Sequence, residues 1–389
     1  MQTFDVIVVG GGLVGVSFVL GLEHAGVSVA LIEPHRPRVP ASDGSWDRRV
    51  YAISPGNAAW LTELGVWPCL PADRLERVEA MQIFGDAVHG RLAFSAYDAG
   101  LRELAWILEN SVLHHALWQR LNDVPHVTAY CPAGCREVAW GRDYAVLTLE
   151  DGRELTARLI VGADGADSWV RDRAGIAGHL DDYRQRGVVA NFATARPHEG
   201  TAYQWFRADG VLALLPLPGN RVSMVWSAQE DRARELLEFG PDTLAREVEV
   251  AAEGALGELR LLGAPAGFPL TRQRVERLVE PRAALIGDAA HNIHPLAGQG
   301  VNLGLRDARE LVAVLAARGA EKDCGDYRLL RRYERARRED ITALETTTHL
   351  LEKLFESRAV WMAALRNFGL SLVDAQPVIK NALVRHAIA

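Results

Sequence analysis

Residues 4–15 read FDVIVVGGGLVG, and the order of residue types in this stretch decides the fold. Phe4 to Val9 is a short apolar run rich in β-branched residues, which reads as a buried strand. It runs straight into Gly10-Gly11-Gly12-Leu13-Val14-Gly15, and an apolar helix follows to about Ala25. This is G-x-G-x-x-G in the setting it requires, strand before and helix after. Gly10 permits the tight turn, Gly12 lets a pyrophosphate approach the backbone, and Gly15 lets helix and strand pack. Leu13 and Val14, at the helix start, count with the glycines as cofactor-binding positions. A second strand, Val27 to Ile32, ends at Glu33, eighteen residues beyond Gly15. That carboxylate can take both hydroxyls of an adenosine ribose. Taken alone, the motif leaves NAD and FAD both open. The uncharged run from Val6 to Leu22 also has the look of a membrane span, but its glycines and immediate charged flanks argue against one.

Residues 287–307, GDAAHNIHPLAGQGVNLGLRD, narrow the choice. They follow an apolar strand, Ala283 to Ile286, and lead into an amphipathic helix to about Ala317. The turn between them holds Gly298 and Gly300, leaving the backbone amides at the helix start bare and approachable. A helix N-terminus carries about half a positive charge and suits a ligand that becomes anionic. Asp288 can accept hydrogen bonds from sugar-like hydroxyls. A polyol acceptor beside an anion-stabilising cradle fits a flavin, and Gly287, Asp288, Gly298, Gly300, Val301 and Asn302 are the expected cofactor contacts. The plainer alternative is a glycine-rich connection between a strand and a helix.

Three further segments point to the same cleft. Leu159 to Ser168, LIVGADGADS, is again a strand meeting an Asp-Gly turn, with Asp164 as functional residue or as helix cap. In DRRVYAIS, from Asp47, Arg49 either reaches a phosphate bidentately or is a solvated surface arginine. Trp106 to Asn110 opens a helix to about Leu121, with Asn110 facing the cleft.

This ordered set resembles the single-component, FAD-dependent aromatic hydroxylases with the para-hydroxybenzoate hydroxylase fold. HPLAGQGVNLGLRD (His294 to Asp307) is similar to the signature of the ubiquinone-biosynthesis ring hydroxylases, the 2-polyprenylphenol hydroxylase family. DRRVYAIS, ILENSVLHHAL from Ile107 and RNFGLSLVDAQPVIKNALVRHA near the C-terminus match that subgroup too. One departure is Val211 after Gly210, where a proline is expected before the apolar strand; it bears on the shape of the substrate pocket.

Composition agrees. A chain of 389 residues holds one large or two interleaved domains, and a net charge of −7 argues against nucleic acid as a general partner. The four cysteines are scattered; Cys131 and Cys135 lack a second pair or nearby histidines for a metal site, so no metal is expected, and a reduced, cytoplasmic protein fits. The expected class is α/β with α+β character: a Rossmann-like FAD/NAD(P)-binding domain interleaved with a β-sheet substrate domain and a C-terminal helical segment. The FAD-binding domain covers 1–180, with 76–100 contributing to the substrate domain, and continues over 270–320. The substrate sheet covers 181–269 and the C-terminal helices 321–389. Gly187 to Thr194, Ala202 to Arg207, Val211 to Leu215 and Arg221 to Ser227 are strand-like, with Ala80 to Phe84 as an added edge. Val138 to Leu155 reads as a hairpin turning at Asp151-Gly152.

No second G-x-G-x-x-G unit is present to hold a nicotinamide cofactor. The resemblance implies that NADPH or NADH docks transiently, reduces FAD, and that reduced flavin with O2 gives a hydroperoxide that hydroxylates an electron-rich phenol. The amides of Gly298, Gln299 and Gly300 then stabilise negative charge on the reduced ring, and Pro295 and Leu296 seal the pocket. Phenol activation needs a proton acceptor; His291 and His294 are candidates, and His294 is the one expected to act at the substrate hydroxyl. Against this stands a simpler role for each, orienting the loop. Trp205, Phe206 and Trp226 line an exit for a prenyl tail or form sheet core. A prenylated phenol resides in the bilayer, so the resemblance implies peripheral contact with the inner face of the membrane, or a quinone-biosynthesis complex or homo-oligomer that presents the substrate. Three other readings stand beside this one: a hydroxylase of a small soluble phenol or hydroxybenzoate, a non-catalytic flavin-binding scaffold in such a complex, and a flavin-dependent halogenase. No W-x-W-x-I-P tract supports the last.

Overall fold

The computed structural model describes residues 2–41, 44–85, 91–207, 209–292, 300–319 and 323–356, without the side chains of 343–356. The first sheet has a parallel core in the order Ala283–Leu285, Glu154–Gly162, Gln2–Val9, Val29–Ile32, Val127–Tyr130. Val6, Ile7 and Val8 at its centre are fully buried, as strands covered on both faces must be, and this is why they read as an unbroken apolar run. The helices Leu13–Gly21, Asn110–Leu121 and Gly300–Ala316 pack together beside it. The first helix stops at Gly21 rather than near Ala25, because the chain turns through residues 22–26 and leaves by Gly26 at φ +64°.

The hairpin expected over Val138 to Leu155 is a three-stranded meander of Cys135–Trp140, Ala145–Leu149 and Glu154–Gly162. Asp151-Gly152 makes its second turn. The first is at Gly141, whose amide donates to the Tyr144 carbonyl at 2.9 Å. A Cβ at Gly141 would meet that same oxygen at 2.5 Å, so this turn too is set by a glycine.

The second sheet runs His291–Asn292, Ala266–Val275, Gly178–Thr194, Arg221–Gln229, Gly210–Leu217, Thr201–Arg207, Ala80–Phe84, Arg91–Ser95. All four strand-like segments are present and longer than their apolar cores. Ala80–Phe84 joins parallel to Thr201–Arg207 but is not outermost; Arg91–Ser95 takes the edge. Helices Glu230–Glu238 and Pro241–Ala251 cover one face, where Leu236, Leu244 and Val248 pack on Phe192, Met224 and Trp226. Trp205 and Trp226 belong to this core and fill the helix-covered side of the sheet rather than an exit channel, while Phe206 is buried on the opposite side. Just before Val211, which stands where proline was expected, Gly210 begins the strand at φ +136°, its missing Cβ only 1.9 Å from the Ser227 carbonyl.

A small third sheet of Val50–Ile53, Ala105–Glu109 and Glu76–Val78 lies between the two, and Val78, Ile107, Ala202 and Leu217 form a minor core joining the layers. His291–Asn292 pairs with Arg274 and Gln273, so residues 287–292 lead from the first sheet to the second. The last described helix is Tyr327–Glu356. Among the described residues no helix is long and apolar enough to cross a membrane.

Trp226 is wholly buried at the centre of the second core. Trp226→Ala is expected to cost about 3–5 kcal/mol by loss of transfer energy and creation of a cavity, measured as a lower urea midpoint.

Candidate functional site

The glycine turn is built by contact. Gly10 has φ +108°, and a Cβ there would lie 2.3 Å from the Ala163 carbonyl. A Cβ on Gly15 would lie 2.0 Å from the Gly10 carbonyl. Gly12 differs: nothing lies within 4 Å of its Cβ position, so the turn is open on one side only. Gly12 precedes helix Leu13–Gly21, which has no side-chain cap and no acidic residue in its first turn. Bare amides facing open space are what a pyrophosphate needs.

The middle glycine is held from both sides. The Gly11 amide donates to Glu33 at 2.6 Å, and its carbonyl accepts from the Trp118 indole at 2.9 Å with His114 Nε2 at 2.8 Å. Glu33 thus stands at the strand end as expected, taking the His35 amide on its other oxygen at 2.9 Å. His114 and Trp118 went unread in the sequence. Their spacing of four on one helix was the available signal, but nothing local says that this face meets residue 11.

Asp164 adopts the cap arrangement. Its carboxylate accepts the Ser168 hydroxyl at 2.6 Å and the Val170 amide at 3.0 Å, while Ser168 caps helix Trp169–Arg173. Burial raises its carboxyl above the usual range against the pull of these bonds. Its segment meets the glycine turn through the Ala163 backbone.

The remaining segments connect to this turn through specific contacts. Gly287 turns at φ +62°; Cβ atoms at Gly287 and Gly304 would lie 3.3 and 2.7 Å from Val14, so Val14 keys the first helix into the flavin segment. Solvent reaches Asp288, yet surrounding protein crowds it and pushes its carboxyl up, with His291 and Arg49 pulling the other way. The Tyr51 phenol is also raised, first by burial and then by Asp288 and Asp47, and Arg49 lies 5.6 Å over its ring. Arg49 is exposed, and its carbonyl accepts the Asn110 amide at 2.8 Å, which ties two expected site residues together. Asp47 accepts the Arg49 and Ser111 amides at 3.0 and 3.1 Å. Behind them the buried Glu109 accepts the Asp47 amide at 2.5 Å and Arg74 at 2.7 and 2.9 Å.

Gly300 opens helix Gly300–Ala316 with nothing within 4 Å of its Cβ position, and Val301 is half-buried. The Asn302 side chain accepts the Ser54 amide and the Asn57 side chain, both at 2.9 Å, and donates to the Ala52 carbonyl at 2.7 Å. It staples the 47–57 segment to the helix. His294, Pro295, Gly298 and Gln299 lie outside the described residues. His291 is buried and its Nε2 pairs with Asp307 at 2.6 Å; it orients the segment, through a carboxylate rather than a backbone bond. Cys131 and Cys135 are free thiols, the latter pushed up to about 12 by burial. Among the described residues no group of three or more candidate ligands gathers for a metal.

The residues present fit FAD. The open space at Gly12 with the uncapped helix start at Leu13 suits a pyrophosphate, the helix start at Gly300 suits a ring that becomes anionic, and the exposed Asp288 suits a polyol. The architecture is that of a flavin-dependent monooxygenase. It aligns with p-nitrophenol 4-monooxygenase of Pseudomonas putida at TM-score 0.80 and 19% identity, covering 100% of this chain and 99% of that one. It also aligns with PqsL, a probable FAD-dependent monooxygenase of Pseudomonas aeruginosa, at 0.78 and 23%, covering 95% and 100%. Residues 3–348 match the family described as FAD binding domain. The chain is 35% identical to 3-demethoxyubiquinol 3-hydroxylase of Escherichia coli, covering 100% of this chain and 99% of that relative. It is 30% identical to the mitochondrial ubiquinone biosynthesis monooxygenase of Homo sapiens, over 99% and 92%. The chain belongs to this FAD-binding family of aromatic-ring hydroxylases.

The glycines give a paired test. Gly15→Ala is expected to cost about 3 kcal/mol by overpacking against backbone, seen as a lower urea midpoint of the apo-protein. Gly12→Ala should leave that midpoint unchanged but weaken FAD binding on the order of tenfold, read by flavin fluorescence titration.

Proposed function

We propose that the chain hydroxylates the aromatic ring of a polyprenylphenol intermediate in ubiquinone biosynthesis, using FAD, NADPH or NADH as reductant, and O2. The observation that carries this is the full-length 35% identity to 3-demethoxyubiquinol 3-hydroxylase. The open FAD cradle supports it. One oxygen atom of O2 enters the ring and the other leaves as water, with the two electrons drawn from the nicotinamide. FAD, when bound, stores those electrons and activates oxygen.

The protein's part is placement, dryness and charge. In this reading the amides at Gly12, Leu13 and Val14 hold the pyrophosphate, with Gly10 and Gly15 shaping the turn, Glu33 takes the adenosine ribose, and Arg49 reaches a phosphate. Asn110, the Asp164 segment, and Gly287 with Asp288 line the ribityl side. Gly298, Gln299, Gly300 and Val301 present amides to the pyrimidine ring, with Asn302 bracing that helix start, and Pro295 closes the pocket. Residues 1–180 and 270–320 serve as the FAD-binding domain and 181–269 as the substrate sheet. A hydrophobic substrate calls for peripheral membrane contact or a complex that presents it.

His294 acts at the substrate hydroxyl in this reading. His294→Ala is expected to lower turnover on the order of a hundredfold while retaining FAD; an unchanged rate and pH profile removes the role. The substrate is tested by complementing strains that lack each quinone hydroxylase and identifying the quinone intermediates by mass spectrometry. Restored ubiquinone in one strain is expected. Failure in all, with NAD(P)H oxidation stimulated only by soluble phenols, points instead to a small-phenol hydroxylase.

A further inference from the structure

Helix Tyr327–Glu356 is rich in charged residues, and its buried side carries polar groups beside Leu329 and Leu330. Tyr333, Glu334 and Arg337 are all buried. Each bonds to a segment near the 287–292 turn. The Tyr333 hydroxyl donates to the Leu285 carbonyl at 2.8 Å, Glu334 accepts the Leu278 amide at 2.9 Å, and Arg337 Nε donates to Asp307 at 2.8 Å. Asp307 is fully buried and forks: one oxygen takes Arg337, the other takes both His291 at 2.6 Å and the Gly287 amide at 3.0 Å. Gly287 is the residue immediately before Asp288.

Stability alone does not explain this cluster. Buried charges recover their desolvation cost only when geometry and hydrogen bonding are complete, and well-packed apolar residues often do as well. Here His291 Nδ1 and Arg337 Nη2 are buried with no partner among the described residues. What the cluster does achieve is direction. Asp307 can hold the Gly287 amide in one place only while its own rotamer is held, and Arg337 holds it from the far side.

We propose that Arg337 is a positioning residue for the cofactor. Through Asp307 it fixes the Gly287 turn and so the place from which Asp288 meets the polyol chain of FAD. This rests on FAD being the bound group and not on which phenol is turned over. Linkage then requires that FAD binding and the Arg337–Asp307 contact favour each other.

The test is FAD titration of the apo-protein, with the Gly287 amide followed by hydrogen exchange. Arg337→Met is expected to raise the FAD dissociation constant on the order of tenfold and to speed Gly287 exchange. Tyr333→Phe removes a hydrogen bond between the same helix and the strand before the turn, so it reports helix docking alone. It should lower the Tm but leave the FAD constant within about twofold, well below that coupling range. Equal effects of the two variants on FAD binding, or none from Arg337→Met, overturn the proposal. If Arg337→Met does not fold, Arg337→Lys is read instead: lysine keeps the charge but not the fixed fork, so a severalfold weaker FAD constant is expected and a wild-type one is contrary. Wild-type protein that binds no FAD would refute the functional reading itself.

Discussion

The close approach of Gly10 to the neighbouring strand is the constraint on which the site depends. Its missing Cβ would stand 2.3 Å from the Ala163 carbonyl, and that of Gly15 would stand 2.0 Å from Gly10 itself. Only with both positions bare does helix Leu13–Gly21 start directly above the strand pair and aim its free amides past Gly12 into open space. The rest follows outward from that helix. Val14 fits between Gly287 and Gly304, which brings in the flavin segment; Gly11 is gripped by Glu33, His114 and Trp118, which brings in the second strand and the helix behind Asn110.

Much of this was legible because glycine positions and apolar runs are local signals. The order of strand, G-x-G-x-x-G and helix is enough to place residues 4–21, and the GD and GADGADS turns are recognisable by the strands that precede them. What was not legible is where side chains spend their hydrogen bonds. Asp164 was open between a functional role and a helix cap, and it bonds Ser168 and Val170; Asn302, a candidate cofactor contact, bonds Ser54, Asn57 and Ala52. Asparagine and aspartate near a glycine turn look the same in sequence whether they face a ligand or brace the loop. The same holds for Trp205 and Trp226, where an aromatic strand facing helices cannot be told from one facing substrate until Leu236, Leu244 and Val248 are seen to cover it.

The division of labour this reveals is physical. Groups that would touch FAD are chiefly backbone amides and the few side chains left open, such as Arg49 and Asp288. Behind them, buried polar clusters hold loops that have little apolar surface to bury: Glu109 with Arg74, and Asp307 with His291 and Arg337. A loop lined for a charged, hydroxyl-rich ligand must be polar, so its position is set by directed bonds rather than by packing. Some of these supporting pairs join distant segments, Asp47 with Glu109 62 residues apart and Asp307 with Arg337 30 apart, and no motif contains both members of either pair.

Ring hydroxylation by a flavin monooxygenase puts one atom of dioxygen into the product, and that atom tests the central claim most directly. The FAD-loaded protein is given NAD(P)H and a prenylated phenol under isotopically heavy dioxygen, and the product is weighed by mass spectrometry. The account predicts one heavy oxygen atom on the ring for each nicotinamide oxidised. Nicotinamide oxidation that yields only hydrogen peroxide with every phenol offered, or product oxygen drawn from water, would contradict it.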